Sequence, residues 1–333
     1  MAFFAKRSIF IILAVGGALL AENSFANDKK NVVASAATES GQVRRLPVSF
    51  GGTVRRIEEP RGVSAEDIRR SLKPGKLRLG STAALVMDQR EGVMLFDKQG
   101  DWQTPIASVT KLMTAMVVLD SKLPLDQAIR VTPEDRDTLR GSHSRLRFGV
   151  TLTRHDMLHM SLAASENRAA AALARAFPGG TRAFIEAMNN KAAELGMDKT
   201  HFADSTGLNA NNVSTAHDLA RMVNASYSYP LIREFSTSAR DTVTDTRTGR
   251  PIAFMNTNIL IRKQRDEWSI GLSKTGYITD SGYCLVMQAE IADRPVVIVL
   301  LNSQGKQTKI GDANRIRQWL TDTERRLAAL ANA

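Results

Sequence analysis

The chain has 333 residues, 43% of them hydrophobic, 24% charged and 6% aromatic. At roughly 150 residues per domain this is one large domain or two small ones, and the apolar fraction excludes wholesale disorder. A single cysteine, Cys284, excludes an intramolecular disulfide and a cysteine-based zinc knuckle, and the net charge of +11 suits acidic partners without choosing among them.

The first residues choose the compartment. Lys6 and Arg7 precede an apolar run of 13 residues, Ser8 to Leu20. That run is too short to cross a hydrocarbon core of about 30 Å comfortably as a helix. Ser24 and Ala26 stand where a signal peptidase reads. Residues 1–26 are therefore expected to be a cleaved secretory signal, with an uncleaved membrane anchor as the alternative. Export argues against nucleic acid as the partner and makes the periplasm the expected location. Residues 27–76 are rich in Ser, Ala, Arg and Gly and are expected to form a flexible basic tether. Within it, Val63 to Leu72 has the pattern of a short helix capped by Ser64. The folded domain is expected over residues 77–333.

Thr82–Asp88 and Val93–Lys98 are apolar, β-branched runs around a polar turn, which predicts a hairpin. Helical patterns dominate from Ser108 to about Tyr229. After a polar stretch, Ile270–Tyr277, Tyr283–Ile291 and Val296–Ser303 read as strands separated by turns at Asp280–Gly282 and Asp293–Pro295. Asp312 is expected to cap a last helix, with Ile316, Trp319, Leu320, Leu327 and Leu330 near one face. Strands from both chain ends predict one α/β (α+β) fold: an antiparallel sheet of about five strands flanked by helices, with an inserted helical region.

Three short motifs carry chemistry. In Pro105-Ile106-Ala107-Ser108-Val109-Thr110-Lys111, Ser108 sits at a helix start and Lys111 three residues on. In a helix, these positions share a face at about 5–6 Å between Cβ atoms. Serine needs a base, and lysine is one only when desolvation or nearby positive charge makes its amine neutral. The run from Leu112 to Leu119 predicts a helix buried nearly all round, so Lys111 falls in a low-dielectric site. Ser165-Glu166-Asn167 is a polar insert between two apolar helices, readable as a helix cap or as a second hydroxyl and an amide at a site. Lys274-Thr275-Gly276 lies on a predicted strand, where a lysine either guards an edge or supplies a cation. Gly276 lets a substrate backbone approach.

In this order, S-x-x-K, S-x-N and K-T-G form the signature of penicillin-binding proteins and class A β-lactamases. The chain resembles the low-molecular-mass penicillin-binding proteins, the D-alanyl-D-alanine endopeptidase and carboxypeptidase family of serine peptidases. Asp204-Ser205-Thr206-Gly207-Leu208-Asn209 is similar to the family's Gly-Leu loop, and the likeness runs from about residue 80 to 320. The resemblance implies a β-lactamase/transpeptidase-like fold. It implies Ser108 as nucleophile, Lys111 as general base, and Ser165 as a proton relay between Lys111 and the leaving amine. Asn167 would donate to a substrate amide. Lys274 and Thr275 would bind the substrate carboxylate, Gly276 would admit the substrate backbone, and the backbone N–H groups of Ser108 and Tyr277 would form the oxyanion hole. Peptidoglycan would be the substrate, in cell-wall biogenesis and cell shape, and β-lactam antibiotics covalent inhibitors. No cofactor and no metal are expected, and the basic surface suits loose association with the wall or membrane surface.

Other readings are open to test. His155 and His159 have the i, i+4 spacing of zinc ligands, but Asp156 stands where zincins carry Glu. Cys284 reads as a small buried hydrophobe. The basic last helix is either a membrane-surface anchor or, following a strand directly, packed on the sheet. The expected activity is endopeptidase, because only about 30 residues follow the last predicted strand, which leaves no room for the extra C-terminal domain of many family carboxypeptidases. Carboxypeptidase is the alternative. A class A-like β-lactamase is disfavoured because Phe202–His217 holds no Glu to activate a deacylating water. A catalytically silent wall-binding protein is disfavoured by the complete motif set.

Overall fold

The structure, a computed structural model, describes residues 63–72, 77–263 and 268–331. The expected signal, residues 1–26, and most of the expected tether lie outside the described residues. Inside the tether's expected bounds, the Ser64 side chain caps α1 (Ala65–Ser71) by accepting from Asp67 N at 3.1 Å. Ala65 and Ile68 of α1 are fully buried. The packed region thus begins upstream of residue 77, the boundary that composition suggested.

The main sheet has five antiparallel strands. These are β1 (Ser81–Asp88), β2 (Met94–Lys98), β9 (Ser269–Ile278), β10 (Gly282–Ile291) and β11 (Arg294–Ser303), in the order β2-β1-β11-β10-β9. The two chain ends meet where β1 pairs with β11, Leu85 opposite Val299. Strand side chains alternate between two buried faces, as period-2 geometry requires. Leu85, Val286, Val297 and Val299 face a core shared with the helical region. Val86, Leu285, Ile298 and Leu300 face a second core under α1 and the last helix. Burial on both faces explains why these strands read as continuous apolar runs.

Between β2 and β9 the chain forms the helical region. It contains α2 (Lys111–Asp120), α3 (Arg154–Ala163), α4 (Asn167–Arg175), α5 (Gly180–Glu194), α6 (Ala216–Tyr227), α7 (Pro230–Thr237) and the short α8 (Ile259–Arg262). Three two-stranded pairs interrupt it: β3 (Thr104–Pro105) with β6 (Val213–Ser214), β4 (Ala128–Arg130) with β5 (Thr151–Thr153), and β7 (Arg240–Thr244) with β8 (Pro251–Met255). Short strands with few buried residues carry little hydrophobic alternation, and β7 buries only Val243.

The last helix, α9 (Lys306–Ala331), starts six residues before the expected cap. Asp312 is inside it and fully buried. Its carboxylate accepts from Gly80 N (2.9 Å), Ser81 N (2.8 Å) and Ser81 Oγ (2.6 Å), and pairs with Arg315. This fastens α9 to the start of β1. Ile316 and Leu320 pack on the sheet, whereas Leu330, expected near the same face, is 69% exposed. Arg294 makes a second fastening, pairing with Asp88 and Glu324 and donating to Val63 O.

Removing the Asp312 carboxylate strands buried donors without partners. Asp312→Ala is expected to cost about 3 kcal/mol of unfolding free energy, read from urea denaturation. A loss below about 0.5 kcal/mol, typical of surface changes, would contradict the role given to this carboxylate.

Candidate active site

Ser108 lies on a 3-10 turn, Ala107–Thr110, that runs straight into α2. Ala107 has φ +48°, in the left-handed region that costs a non-glycine residue of order 1–3 kcal/mol. Two glycines hold it there. A Cβ on Gly207 would stand 1.9 Å from Ala107 O, and one on Gly276 would stand 2.9 Å from Ile106 O and 3.0 Å from Ser108 N. The nucleophile's peptide is therefore clamped between the 204–212 loop and β9, at distances no side chain tolerates. Asp204 shapes that loop by accepting from Thr206 N (2.8 Å), Gly207 N (2.6 Å) and Asn209 N (2.8 Å). Asn212 then pins it to the turn, donating to Thr110 Oγ1 at 2.9 Å.

Lys111 opens α2 and has no exposed surface. Its Nζ lies 3.1 Å from Ser108 Oγ, 2.7 Å from Asn167 Oδ1 and 2.6 Å from Thr206 O. Burial lowers its pKa to about 8, against the opposing pull of Asp204, Glu166 and Asp137. Once one proton is lost, the two N–H bonds to Asn167 and Thr206 leave the lone pair aimed at the Ser108 hydroxyl, which then donates. The three acceptors thus set the direction of the base as well as its charge.

Ser165 sits in the α3–α4 link with φ +58°, a second left-handed residue at the site. Its hydroxyl accepts from Lys274 Nζ at 2.8 Å. The hydrogen bond therefore ties Ser165 to Lys274 and not to Lys111, the partner the motif reading gave it. Lys274 is on edge strand β9 yet only 1% exposed, so it does not act as a solvent-facing edge guard. Its Nζ also donates to Thr275 O at 2.9 Å. Burial, then the neighbouring charges of Lys111 and Lys309, push its pKa well down. Asn167, the first residue of α4, donates one of its two amide N–H groups to Ser142 Oγ at 2.9 Å.

A cavity of about 630 Å³ opens over these groups, lined by Ser108, Ser165, Asn167, Thr275, Gly276 and Tyr277. Four cations that the motifs do not contain also line it: Arg145, Arg262, Lys306 and Lys309. Lys309 lies on α9, donates to Cys284 O at 3.1 Å, and is lowered to about 8 by burial. The one signal for it in sequence is a charge three residues before the buried Asp312, on the face that meets the sheet. Thr257 joins from the β8–α8 link, its Oγ1 accepting from Thr275 Oγ1 at 2.7 Å. Arg140 ties the 204–212 loop to the turn after β9, donating to Leu208 O (2.7 Å) and pairing with Asp280 (2.7 Å).

The remaining candidates pack elsewhere. The His155 and His159 rings lie against Phe235 at centroid distances of 4.8 and 4.5 Å. Cys284 is fully buried, and burial raises its pKa. Asp204 and Asp218, the carboxylates in and beside the 202–217 loop, are both hydrogen-bonded, Asp218 to Lys199 N, Thr200 Oγ1 and Arg221.

A serine one turn from a lysine whose pKa burial lowers, with a second serine on a second lysine of an edge strand, defines a serine hydrolase of the Ser-Lys class. The family model described as D-alanyl-D-alanine carboxypeptidase, Peptidase_S11, matches residues 70–305, and the chain belongs to that family. It is 46% identical over 258 residues to the D-alanyl-D-alanine endopeptidase of Pseudomonas aeruginosa, covering 78% of this chain and 83% of that one. It is 44% identical over 242 residues to the enzyme of the same name from Escherichia coli, covering 73% and 77%. Its fold is similar to the Streptomyces K15 DD-transpeptidase (TM-score 0.66, 27% identity, 73% and 97% covered). The ampicillin-bound penicillin-binding protein D2 of Listeria monocytogenes is similar too (TM-score 0.63, 28% identity, 73% and 98% covered).

The clamp on the nucleophile is testable. Gly276→Ala is expected to push β9 away from Ser108 and slow acylation by a fluorescent penicillin at least about tenfold, near 1.4 kcal/mol in barrier. A wild-type acylation rate in this variant would show that the close approach at Gly276 is not needed.

Proposed function

We propose that the protein is a periplasmic serine D-alanyl-D-alanine endopeptidase that hydrolyses peptidoglycan cross-links and is acylated by β-lactams. The observation that carries this is the Lys111 amine, without solvent exposure and 3.1 Å from the Ser108 hydroxyl. The endopeptidase assignment is supported by the two relatives of that name at 46% and 44% identity. Among the described residues no helix is long and apolar enough to cross a membrane.

In the proposed mechanism neutral Lys111 takes the Ser108 proton as Oγ attacks the D-alanyl carbonyl carbon. The backbone N–H groups of Ser108 and Tyr277, brought together by the close pass of β9, receive the oxyanion. The C–N bond then breaks. The leaving nitrogen takes a proton from Ser165 Oγ, which is resupplied by Lys274, an ammonium made acidic by burial and by its cationic neighbours. Lys111 first loses its proton and Lys274 regains one through solvent, which restores the starting charges. Neutral Lys111 then takes a proton from water as the water oxygen attacks the ester carbonyl, and returns that proton to Ser108 Oγ as the ester C–O bond breaks and the acid leaves. Asn167 orients Lys111. Thr275 contacts the substrate carboxylate together with Lys309, and Lys274 adds its field from beneath the strand. With no free carboxylate in the 202–217 loop to activate water, penicillin deacylation is slow and β-lactams act as inhibitors.

The family's model description makes D-alanyl-D-alanine carboxypeptidase the second reading. The deciding experiment compares kcat/KM for a cross-linked dimer of stem peptides with that for a monomeric pentapeptide, using a Ser108→Ala control. The dimer is expected to be preferred. A preference for pentapeptide of about tenfold or more, near 1.4 kcal/mol, would replace endopeptidase with carboxypeptidase.

A further inference from the structure

The Ser108 cavity does not end at the catalytic residues. Arg145 and Met255 line both it and a second cavity of about 530 Å³ whose other walls are Arg240, Asp241, Thr242, Ala253 and Phe254. The second cavity lies on the β7–β8 hairpin, where Arg240 stands directly opposite Met255 in the register. A continuous groove thus leads from the nucleophile to the hairpin.

Its direction follows from the carboxylate contact. Thr275, which faces the leaving residue in the proposed mechanism, donates to Thr257, and Thr257 is two positions beyond Met255 in the chain. A peptide that continues past the leaving residue is carried onto the hairpin. In a cross-link that continuation is the second stem. Its diamino acid keeps a carboxylate beside the scissile bond, and its γ-linked glutamate leaves another free.

The groove's charge fits such an occupant. The Arg145, Arg240 and Lys306 side chains are exposed, and among the described residues none of them has an ion-pair partner. Arg262 Nη1 donates to Met255 Sδ at 3.3 Å, and among the described residues its buried Nε has no acceptor. Some arginines outside the groove are matched, as in Arg140–Asp280, Arg175–Asp135 and Arg294–Asp88. The groove's one carboxylate, Asp241, accepts from Thr242 N at 2.7 Å and faces His159 at 3.8 Å. The platform is also stiff. Val243 and Phe254 are buried under it, Thr246 N donates to Thr151 O at 2.8 Å, and Asn256 Nδ2 donates to Ser236 O and Ser238 O.

We propose that this groove seats the leaving stem of the cross-link, an acidic peptide, with Arg145 and Arg240 receiving its carboxylates. The inference rests on the endopeptidase reading and deepens it. It gives the preference for cross-linked substrate a location: contacts to the second stem that a lone terminal D-alanine does not make. Binding energy gained that far from the scissile bond can be used at the reacting centre.

The test uses the full chain and Arg240→Glu, a surface change at the far end of the groove. For the cross-linked dimer, kcat/KM is expected to fall about tenfold or more, mainly through KM, as reversal of a rim charge against an acidic ligand predicts. Acylation by a fluorescent penicillin and turnover of pentapeptide stay within about twofold, since neither reaches the hairpin. Arg240→Lys retains most dimer activity, and raising salt narrows the gap between wild type and Arg240→Glu. Unchanged dimer kinetics, or a fall matched by an equal fall in penicillin acylation, overturns the groove assignment. A second readout does not depend on turnover: the affinity of labelled dimer for Ser108→Ala, against Ser108→Ala carrying Arg240→Glu. Equal affinities there also overturn the groove. Wild-type preference for pentapeptide, by contrast, overturns the endopeptidase reading, so the two claims fail by different measurements.

Discussion

A lysine amine without solvent must be able to shed its charge, and this burial of Lys111 is the constraint on which the site depends. Exposed, the group would be an ammonium at neutral pH and useless as a base. Buried without partners, it would be a costly orphan. The protein resolves this with three acceptors, Ser108 Oγ, Asn167 Oδ1 and Thr206 O, each from a different segment. The amine is satisfied when protonated and correctly aimed when neutral. Asp204, Glu166 and Asp137 oppose the desolvation, which leaves the pKa near 8 and not lower.

Every large feature of the fold serves that arrangement. The two-faced sheet gives β9 a rigid backing, so Gly276 can press against Ser108 N. The 204–212 loop closes from the other side, with Gly207 against Ala107 O and Asp204 and Asn212 fixing its shape. Both serine-bearing segments hold a left-handed non-glycine residue, Ala107 and Ser165, where surrounding packing offsets the cost. Lys274 forms a second buried cation within the field of the first. Burial, then the charge of Lys111, lowers the pKa of Lys274, so the Lys274 ammonium gives up a proton more readily because Lys111 is there.

Much of this was legible in the sequence, for physical reasons that can be named. The five strands declared themselves because burial on both faces demands apolar, β-branched runs. Ser108, Lys111, Ser165, Asn167, Lys274 and Thr275 stood out through spacing and through lysines placed in apolar segments. What escaped was set by three-dimensional contact. The β7–β8 hairpin buries only Val243 and Phe254 among its exposed polar residues, so the segment read as a polar stretch. Asp312 looked like a helix cap, but its partners Gly80 and Ser81 lie more than two hundred residues away in sequence. Lys309, Arg145 and Arg262 join the cleft from three separate elements, with no local pattern to unite them. The hydrogen bond from Lys274 to Ser165 escaped for the same reason: Lys274 reaches it from a strand 109 residues on.

The central claim is that neutral Lys111 is the base, and the pH dependence of acylation tests it most directly. The second-order rate of acylation by a fluorescent penicillin should rise through a limb near pH 8, where the buried ammonium loses its proton. Asn167→Asp supplies the control. It keeps the shape, lets Ser142 donate to the new carboxylate, and places a negative charge beside Lys111, which favours the ammonium. The limb should move to higher pH in that variant. A wild-type rate that is flat through this range, or a limb that Asn167→Asp leaves in place, would contradict the assignment of Lys111 as general base.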